Sequence, residues 1–219
     1  MGGRWRVDRQ LGRGGMGAVY LVHDIRLNNR RAALKEMLDR SLHLSAREEA
    51  IARFHREAET LASFNHPAIP HIYDRFSEDD RIYMVMEFIE GMDLERLLEA
   101  HQNAFGRGLA EAAVARYAYQ LCSVLDYLHR QNPPTLHRDL KPSNLICHPS
   151  GVLKVIDFGI AKVFNPGSQG TGLGTQGYAA PEQYKGQADA RTDLYALGAT
   201  LHHLLTARDP RAQTPFDFP

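Results

Sequence analysis

The stretch His137-Arg138-Asp139-Leu140-Lys141-Pro142-Ser143-Asn144, followed shortly by Asp157-Phe158-Gly159, decides how this chain is read. It places two carboxylates, a carboxamide and a lysine on two short segments. The five fixed positions of an H-R-D-L-x-x-x-N pattern would match by chance in a chain of 219 residues on the order of once in ten thousand sequences at average residue usage. The match therefore needs a chemical explanation.

Working outward, His137 to Asn144 follows a helical pattern and precedes the apolar run Leu145 to Cys147, while Asp157 follows the strand-like Leu153-Lys154-Val155-Ile156. Asn144 and Asp157 are oxygen donors of the kind Mg²⁺ takes, because that ion keeps few protein ligands and completes its octahedron with water and phosphate oxygens. Asp139 is then left to orient a hydroxyl and accept its proton. Taken singly, each of these residues is better explained as a turn former. The combination carries the reading.

Toward the N-terminus, Gly12-Arg13-Gly14-Gly15-Met16-Gly17-Ala18-Val19 lies between two predicted strands. Glycine there lets the backbone approach a phosphate, since no Cβ intervenes. A plain glycine-rich hairpin has the same pattern, and strands on both sides argue against a dinucleotide-binding unit, where a helix would follow. Lys35 ends the apolar run Ala32-Ala33-Leu34, and Glu57 falls between Phe54 and Leu61 on a predicted helix, on or beside its buried face. A buried carboxylate calls for a cation. Lys35 is the natural candidate, with Arg53 and Arg56 as competing surface partners; an exposed helix glutamate and an edge-strand lysine are the plainer alternative.

The first part of the chain reads as strands near Trp5 to Leu11, Ala18 to His23, Arg31 to Met37, Ile69 to Phe76 and Ile82 to Phe88. One helix interrupts them, opened by the Ser45/Glu48 capping box, continued by Ile51, Phe54, Ala58, Leu61 and Ala62, and ended at Asn65-His66-Pro67. After Gly91 the pattern is mainly helical: Asp93 is an expected N-cap, a helix from about Leu109 to His129 turns Tyr117, Leu121, Leu125 and Leu128 inward, and another is predicted at Thr192 to Thr206. This gives an α+β chain with a strand-rich lobe at 1–90 and a helix-rich lobe at 91–219, with a ligand cleft expected between them.

Lysine plus arginine and aspartate plus glutamate both number 26, so no broad cationic field points to nucleic acid or an anionic membrane. Cys122 and Cys147 are too few for a disulfide framework and have no C-x-x-C spacing, which suits reduced thiols in the cytoplasm. No apolar run approaches the roughly 20 residues that span a bilayer, and the N-terminus is unlike a signal peptide, so a soluble chain without a membrane segment is expected.

In chain order, G-x-G-x-x-G-x-V, a strand lysine, a helix glutamate, H-R-D-L-x-x-x-N, D-F-G and Ala180-Pro181-Glu182 all occur at workable separations. From about Arg4 to Thr206 the chain resembles a eukaryotic-type Ser/Thr protein kinase catalytic domain, most like its bacterial members. The resemblance implies the two-lobed kinase fold: a small antiparallel β lobe with one main helix, and a mainly helical large lobe. It implies a transferase that moves the γ-phosphoryl group of Mg-ATP, with Mn²⁺ as the alternative ion, to Ser or Thr hydroxyls of protein substrates.

By that resemblance Leu11, Gly12, Gly14 and Gly17 cover ATP, Lys35 holds its α and β phosphates, Glu57 orients Lys35, and Asn144 and Asp157 bind the metal. Asp139 acts as base, Lys141 lies near the transferred group and signals a Ser/Thr acceptor, and Thr175 packs on that pair. Met86 is the gatekeeper, the backbones of Glu87 and Ile89 bond adenine, and Val19, Ala33 and Ile146 enclose its ring. Asp93 doubles as N-cap and ribose acceptor, and Leu61, Ile72, His137 and Phe158 form a stack in the active arrangement. Arg138 would pair with a phosphate on the loop between Asp157 and Glu182, at Ser168 or, by preference, Thr171.

The family domain continues for several helices past the one predicted at Thr192 to Thr206, which carries Leu194, Leu197, Leu201, Leu204 and Leu205. A truncated chain is therefore expected, in which an exposed apolar flank of this helix favours self-association, with a homodimer as one form, or the tail Pro210 to Pro219 covers part of that flank. The competing reading is a weak or inactive kinase-fold scaffold that binds nucleotide without transferring phosphate. A small-molecule phosphotransferase is disfavoured by Ala180-Pro181-Glu182 and the loop before it.

Overall fold

Short runs rich in apolar residues, such as Ala32-Ala33-Leu34 and Ile82-Tyr83-Met84-Val85, produce the strands of the first unit. The computed structural model describes residues 1–14, 17–37, 58–78, 81–158 and 174–212. The chain divides into two compact units, one comprising Met1–Asn65 with Pro70–Ile89, the other His66–Ile69 with Glu90–Pro219. In the first, β1 (Trp5–Gly14), β2 (Gly17–Asp24), β3 (Arg30–Met37), β4 (Ile72–Glu78) and β5 (Arg81–Glu87) form an antiparallel sheet in the order β1-β2-β3-β5-β4. The β2–β3 turn uses Asn28 and Asn29 at φ 49° and 53°, a left-handed backbone that asparagine tolerates.

One face of this sheet carries Trp5, Val22, Ala32, Leu34, Tyr83 and Val85 as a buried cluster, with Tyr20, Tyr73 and Phe76 against it. Because successive side chains alternate, the register Val19↔Lys35, Leu21↔Ala33, Lys35↔Met84 and Ala33↔Met86 assigns Val19, Ala33, Lys35 and Met86 to the other face. β3 is the middle strand of five, so the edge-strand alternative for Lys35 does not hold. Of the predicted helix, residues 58–63 are described and helical, with Ala58 and Leu61 buried and Ala62 exposed; Ser45, Glu48, Ile51, Phe54 and Glu57 lie outside the described residues.

The strand expected from Ile69 begins at Ile72 instead. Pro67 and Pro70 bracket a turn in which the Ile69 N–H donates to His66 O at 2.9 Å, and Pro70 has no N–H to give a ladder. Ala68 and Ile69 are buried within the second unit. There the Val155 N–H donates to Ala68 O at 2.8 Å, and the His66 ring lies 5.1 Å from that of Tyr127.

In the second unit β6 (Met92–Asp93), β7 (Leu145–Cys147) and β8 (Leu153–Val155) form a small antiparallel sheet. The helices are α1 (Leu94–Phe105), α2 (Glu111–His129), the single turn α3 (Pro181–Tyr184) and α4 (Ala190–Thr206). Asp93 caps α1 as expected, accepting from Arg96 N at 2.9 Å. In α2, Tyr117, Leu121, Leu125 and Leu128 are all buried. Helix α4 starts two residues earlier than Thr192, at Ala190, because Asp189 accepts from Arg191 N at 2.8 Å while Thr192 Oγ1 accepts from Asp189 N at 3.1 Å, a reciprocal cap. It buries Leu197 and Leu204 and leaves Leu194 and Leu205 exposed. Among the described residues, no helix is long and apolar enough to cross a membrane.

Candidate active site

Leu140 is fully buried, and that fixes the strip around it: with Leu140 turned inward, its neighbours Asp139 and Lys141 bracket the anchor. Pro142 then opens a 3₁₀ turn, Pro142–Asn144, in which the Asn144 N–H donates to Lys141 O at 3.0 Å. The turn folds Asn144 back under Asp139. Asn144 Nδ2 donates to the Asp139 carbonyl at 2.8 Å and to Asp139 Oδ2 at 3.1 Å. On the other carboxylate oxygen, Thr175 Oγ1 donates to Asp139 Oδ1 at 2.8 Å, while Lys141 Nζ donates to Thr175 Oγ1 at 2.7 Å and lies 3.3 Å from Asp139 Oδ2. The structure thus joins Asp139, Lys141, Asn144 and Thr175 in one hydrogen-bonded group.

Thr175 reaches this group from a turn in which the Tyr178 and Ala179 N–H groups both donate to its carbonyl at 3.0 Å. Gly174, at φ 98°, begins that turn; a Cβ there would stand 2.5 Å from Gln183 Nε2 and 3.1 Å from Arg138 O. Gln183 Nε2 itself donates to Arg138 O at 2.8 Å, tying α3 to the loop.

Beneath the loop sits Asp193 of α4, fully buried. Its carboxylate accepts from His137 N at 2.9 Å, Arg138 N at 2.8 Å and His129 Nε2 at 2.8 Å. Burial alone would raise this carboxyl; the His129 hydrogen bond and the two backbone N–H groups outweigh it and hold the group below its ordinary value. These bonds also hold Arg138 at φ 64°, a left-handed backbone that a non-glycine residue adopts only when its surroundings require it. Asp193, His129 and Gln183 were not singled out from the sequence. The available signal was an acid on the apolar stripe Ala196, Leu197, Thr200 and Leu204, where a charge must have buried partners.

Asp157 follows β8 at φ 54°, and Asn144 lies next to its segment, since Ile156 N donates to Asn144 O at 2.9 Å. Phe158 is buried with its ring 4.8 Å from that of His137, so these two members of the expected stack do meet. With its NH₂ committed to Asp139, Asn144 keeps its amide oxygen as a donor, and Asp157 adds a carboxylate. Two oxygen donors suit a hard divalent cation that completes its shell with water and phosphate. Asp93 faces Ile146 across β6 and β7, and its carboxylate is also within 3.4 Å of Arg96 Nε.

In the first unit, Gly12 pairs with Val19 and Gly14 with Gly17 across the β1–β2 hairpin. Leu11 is half-buried beside a bulge between Gln10 and Gly12. Met86 is half-buried, Ile89 is buried, and the Glu87 N–H is committed to His71 O at 2.8 Å. Glu57, Ser168 and Thr171 lie outside the described residues.

The family model of the protein kinase domain matches residues 5–216. This chain belongs to the protein kinase family. It is 40% identical over 96% of its length to a "Probable serine/threonine-protein kinase" of Streptomyces coelicolor, covering 31% of that protein. It is 37% identical over 95% of its length to the serine/threonine-protein kinase PrkC of Bacillus subtilis, again covering 31%, so the chain spans about a third of the length of these curated relatives. A solved structure, "PpkA-294 apo form", superposes with a TM-score of 0.79 at 28% identity, covering 92% of this chain and 75% of that one. Kinase membership brings with it the family's general requirements of ATP and a divalent cation.

The buried histidines of the kinase domain give its stability a pH dependence. Burial lowers His137 below the ordinary imidazole value of 6.5, against the opposing pull of Asp193 and Asp139, and burial likewise lowers His203. Both rings are neutral in the fold, whereas the unfolded chain takes up their protons at the ordinary value. The contribution is thus fully present above about pH 6.5 and is lost as pH falls below it, by up to about 1.4 kcal/mol per pH unit for each ring. Asp193, held low, stays ionised through this window. The urea midpoint is expected to be lower at about pH 5.5 than at about pH 7.5; equal midpoints would refute this.

Proposed function

We propose that this chain transfers the γ-phosphoryl group of ATP to serine and threonine hydroxyls of protein substrates, in the cytoplasm, where Cys122 and Cys147 stay as free thiols. The observation that carries the reading is the group Asp139–Thr175–Lys141, which sets a carboxylate and an ammonium on one hydroxyl. Asp139 orients the substrate hydroxyl and takes its proton as the oxygen attacks the γ-phosphorus. The bond from that phosphorus to the β–γ bridging oxygen breaks, and ADP leaves with the electron pair. Lys141 sits beside the carboxylate as the cation that meets the negative charge of the phosphoryl oxygens.

In this reading Asn144 and Asp157 would hold Mg²⁺, which supplies charge neutralisation at the phosphates when bound. Lys35, on the sheet face shared with Val19, Ala33 and Met86, would meet the α and β phosphates, and Glu57 would orient it. Leu11, Gly12, Gly14 and Gly17 would cover the nucleotide, the backbones of Glu87 and Ile89 would bond the adenine, Val19, Ala33 and Ile146 would enclose its ring, and Asp93 would bond the ribose. Arg138 would answer a phosphate on Ser168 or Thr171.

The test is transfer of label from γ-³²P-ATP to a generic basic protein, with analysis of the phosphorylated amino acids, for the chain and for Lys35→Met. Label on serine and threonine that falls at least about a hundredfold in the variant is expected. Bound ATP without transfer, or transfer indifferent to Lys35→Met, would overturn the reading; the first of these is what a nucleotide-binding scaffold would show.

A further inference from the structure

Behind the Thr175 turn lies a second layer of contacts that the transfer chemistry does not use. Tyr178 and His203 are both buried, and the Tyr178 hydroxyl shares a hydrogen bond of 2.6 Å with His203 Nδ1 on α4. Gly177, at φ 85°, meets the 3₁₀ turn Pro210–Ala212 backbone to backbone: a Cβ at Gly177 would stand 2.5 Å from Pro210 O and 2.9 Å from Arg211 N. That turn is anchored in its own right. Arg211 pairs with Asp209 at 2.6 Å and with Glu95 of α1 at 2.5 Å.

We propose that His203, through Tyr178, and the Asp209–Arg211 turn, through Gly177, are positioning elements that hold the Thr175 hydroxyl against Asp139 and Lys141; the role rests on the kinase reading above. The logic is one of satisfaction and reach. A buried phenol is costly without a partner, and His203 supplies one. Burial keeps His203 uncharged near neutrality, so its ring remains available to share that hydrogen bond; the charged and titratable groups around it are Asp209, Arg211, Glu95 and His202. Tyr178 in turn donates its N–H to Thr175 O, so a side chain fixed on α4 fixes the backbone that carries the Thr175 hydroxyl. Without that backing, the turn and its Tyr178 and Ala179 hydrogen bonds to Thr175 O open more readily, and the Thr175 hydroxyl loses its place.

The test uses Tyr178→Phe, which removes one oxygen, with His203→Leu and the conservative His203→Gln. In peptide phosphorylation, Tyr178→Phe and His203→Leu are expected to lower kcat about tenfold with KM for ATP within about twofold, since a displaced positioning group costs rate and not nucleotide binding. His203→Gln, which keeps a hydrogen-bonding group, should recover most of the loss. Amide hydrogen exchange supplies an arm independent of catalysis: the Tyr178 and Ala179 amides should exchange at least about tenfold faster in Tyr178→Phe and His203→Leu, with His137 and Arg138 unchanged. An unchanged kcat together with unchanged exchange at Tyr178, or exchange that rises equally at His137 and Arg138, would overturn the proposal. If the parent chain transfers no phosphate, the kinase reading fails, and the exchange arm still decides whether His203 holds the turn.

Discussion

Asp193→Asn is expected to lower the melting temperature by roughly 6–12 °C and to cut phosphate transfer at the same time. The carboxylate is fully buried and takes two backbone N–H groups and the His129 ring. Asparagine has nearly the same shape but only one acceptor oxygen, so whichever way its amide turns, an NH₂ group faces an N–H donor. Leaving a buried network of this kind incomplete costs about 3 kcal/mol, and a domain of this size loses about 2–4 °C per kcal/mol. The local consequence follows from Arg138. Its left-handed backbone is held by the bond to Asp193, and once released, the loop relaxes and carries Asp139 with it. Calorimetry and a peptide assay on the same preparation check this; a midpoint within about 2 °C of the parent with unchanged kcat would refute it.

Asp139→Asn should do the opposite: keep the fold and remove the chemistry. Asparagine can still accept from Thr175 Oγ1 through its single oxygen, and although its NH₂ then faces Asn144 Nδ2, that amide keeps its bond to the backbone carbonyl of position 139, so the loop stays anchored. It cannot take the proton of an attacking hydroxyl, and it withdraws the negative charge that sits 3.3 Å from Lys141 Nζ. A fall in kcat of about 10³ is expected, within the range for loss of a general base, with KM for ATP little changed. A variant that transfers phosphate within about tenfold of the parent would show that Asp139 is not the proton acceptor.

How much of this was legible in the sequence depended on the distance between partners. Asp139, Lys141 and Asn144 lie within one short strip whose inner anchor, Leu140, and turn former, Pro142, are themselves in the strip, so local rules were enough. The β1–β2, β2–β3 and β4–β5 hairpins follow the same logic, since their partners are near in sequence, whereas the β3–β5 pairing joins distant segments. Asp193 escaped because its partners His137 and Arg138 are 56 and 55 residues away, and helical periodicity shows only that it faces inward, not what it meets. Thr175 was reached through family resemblance alone; nothing in its neighbourhood announces a bond to Asp139. The early start assigned to β4 came from reading Ile69 as strand by composition, when the two flanking prolines had already made it a turn.

The turn His66–Ile69 carries a consequence for how the helical unit can be made. That unit is not one continuous stretch of polypeptide. A gene begun at Glu90 would omit the carbonyl that receives the Val155 N–H and the Ile69 side chain, which is only 2% exposed. It would yield a product with an unfilled socket beside the strand that leads to Asp157. On the ribosome the order is reversed: the plug is synthesised early and must remain unclaimed until Val155 emerges, long after the first sheet has its strands. The helical unit therefore cannot complete itself ahead of the segment that supplies its last piece, and dissecting this chain into halves for study would sever the unit it meant to isolate.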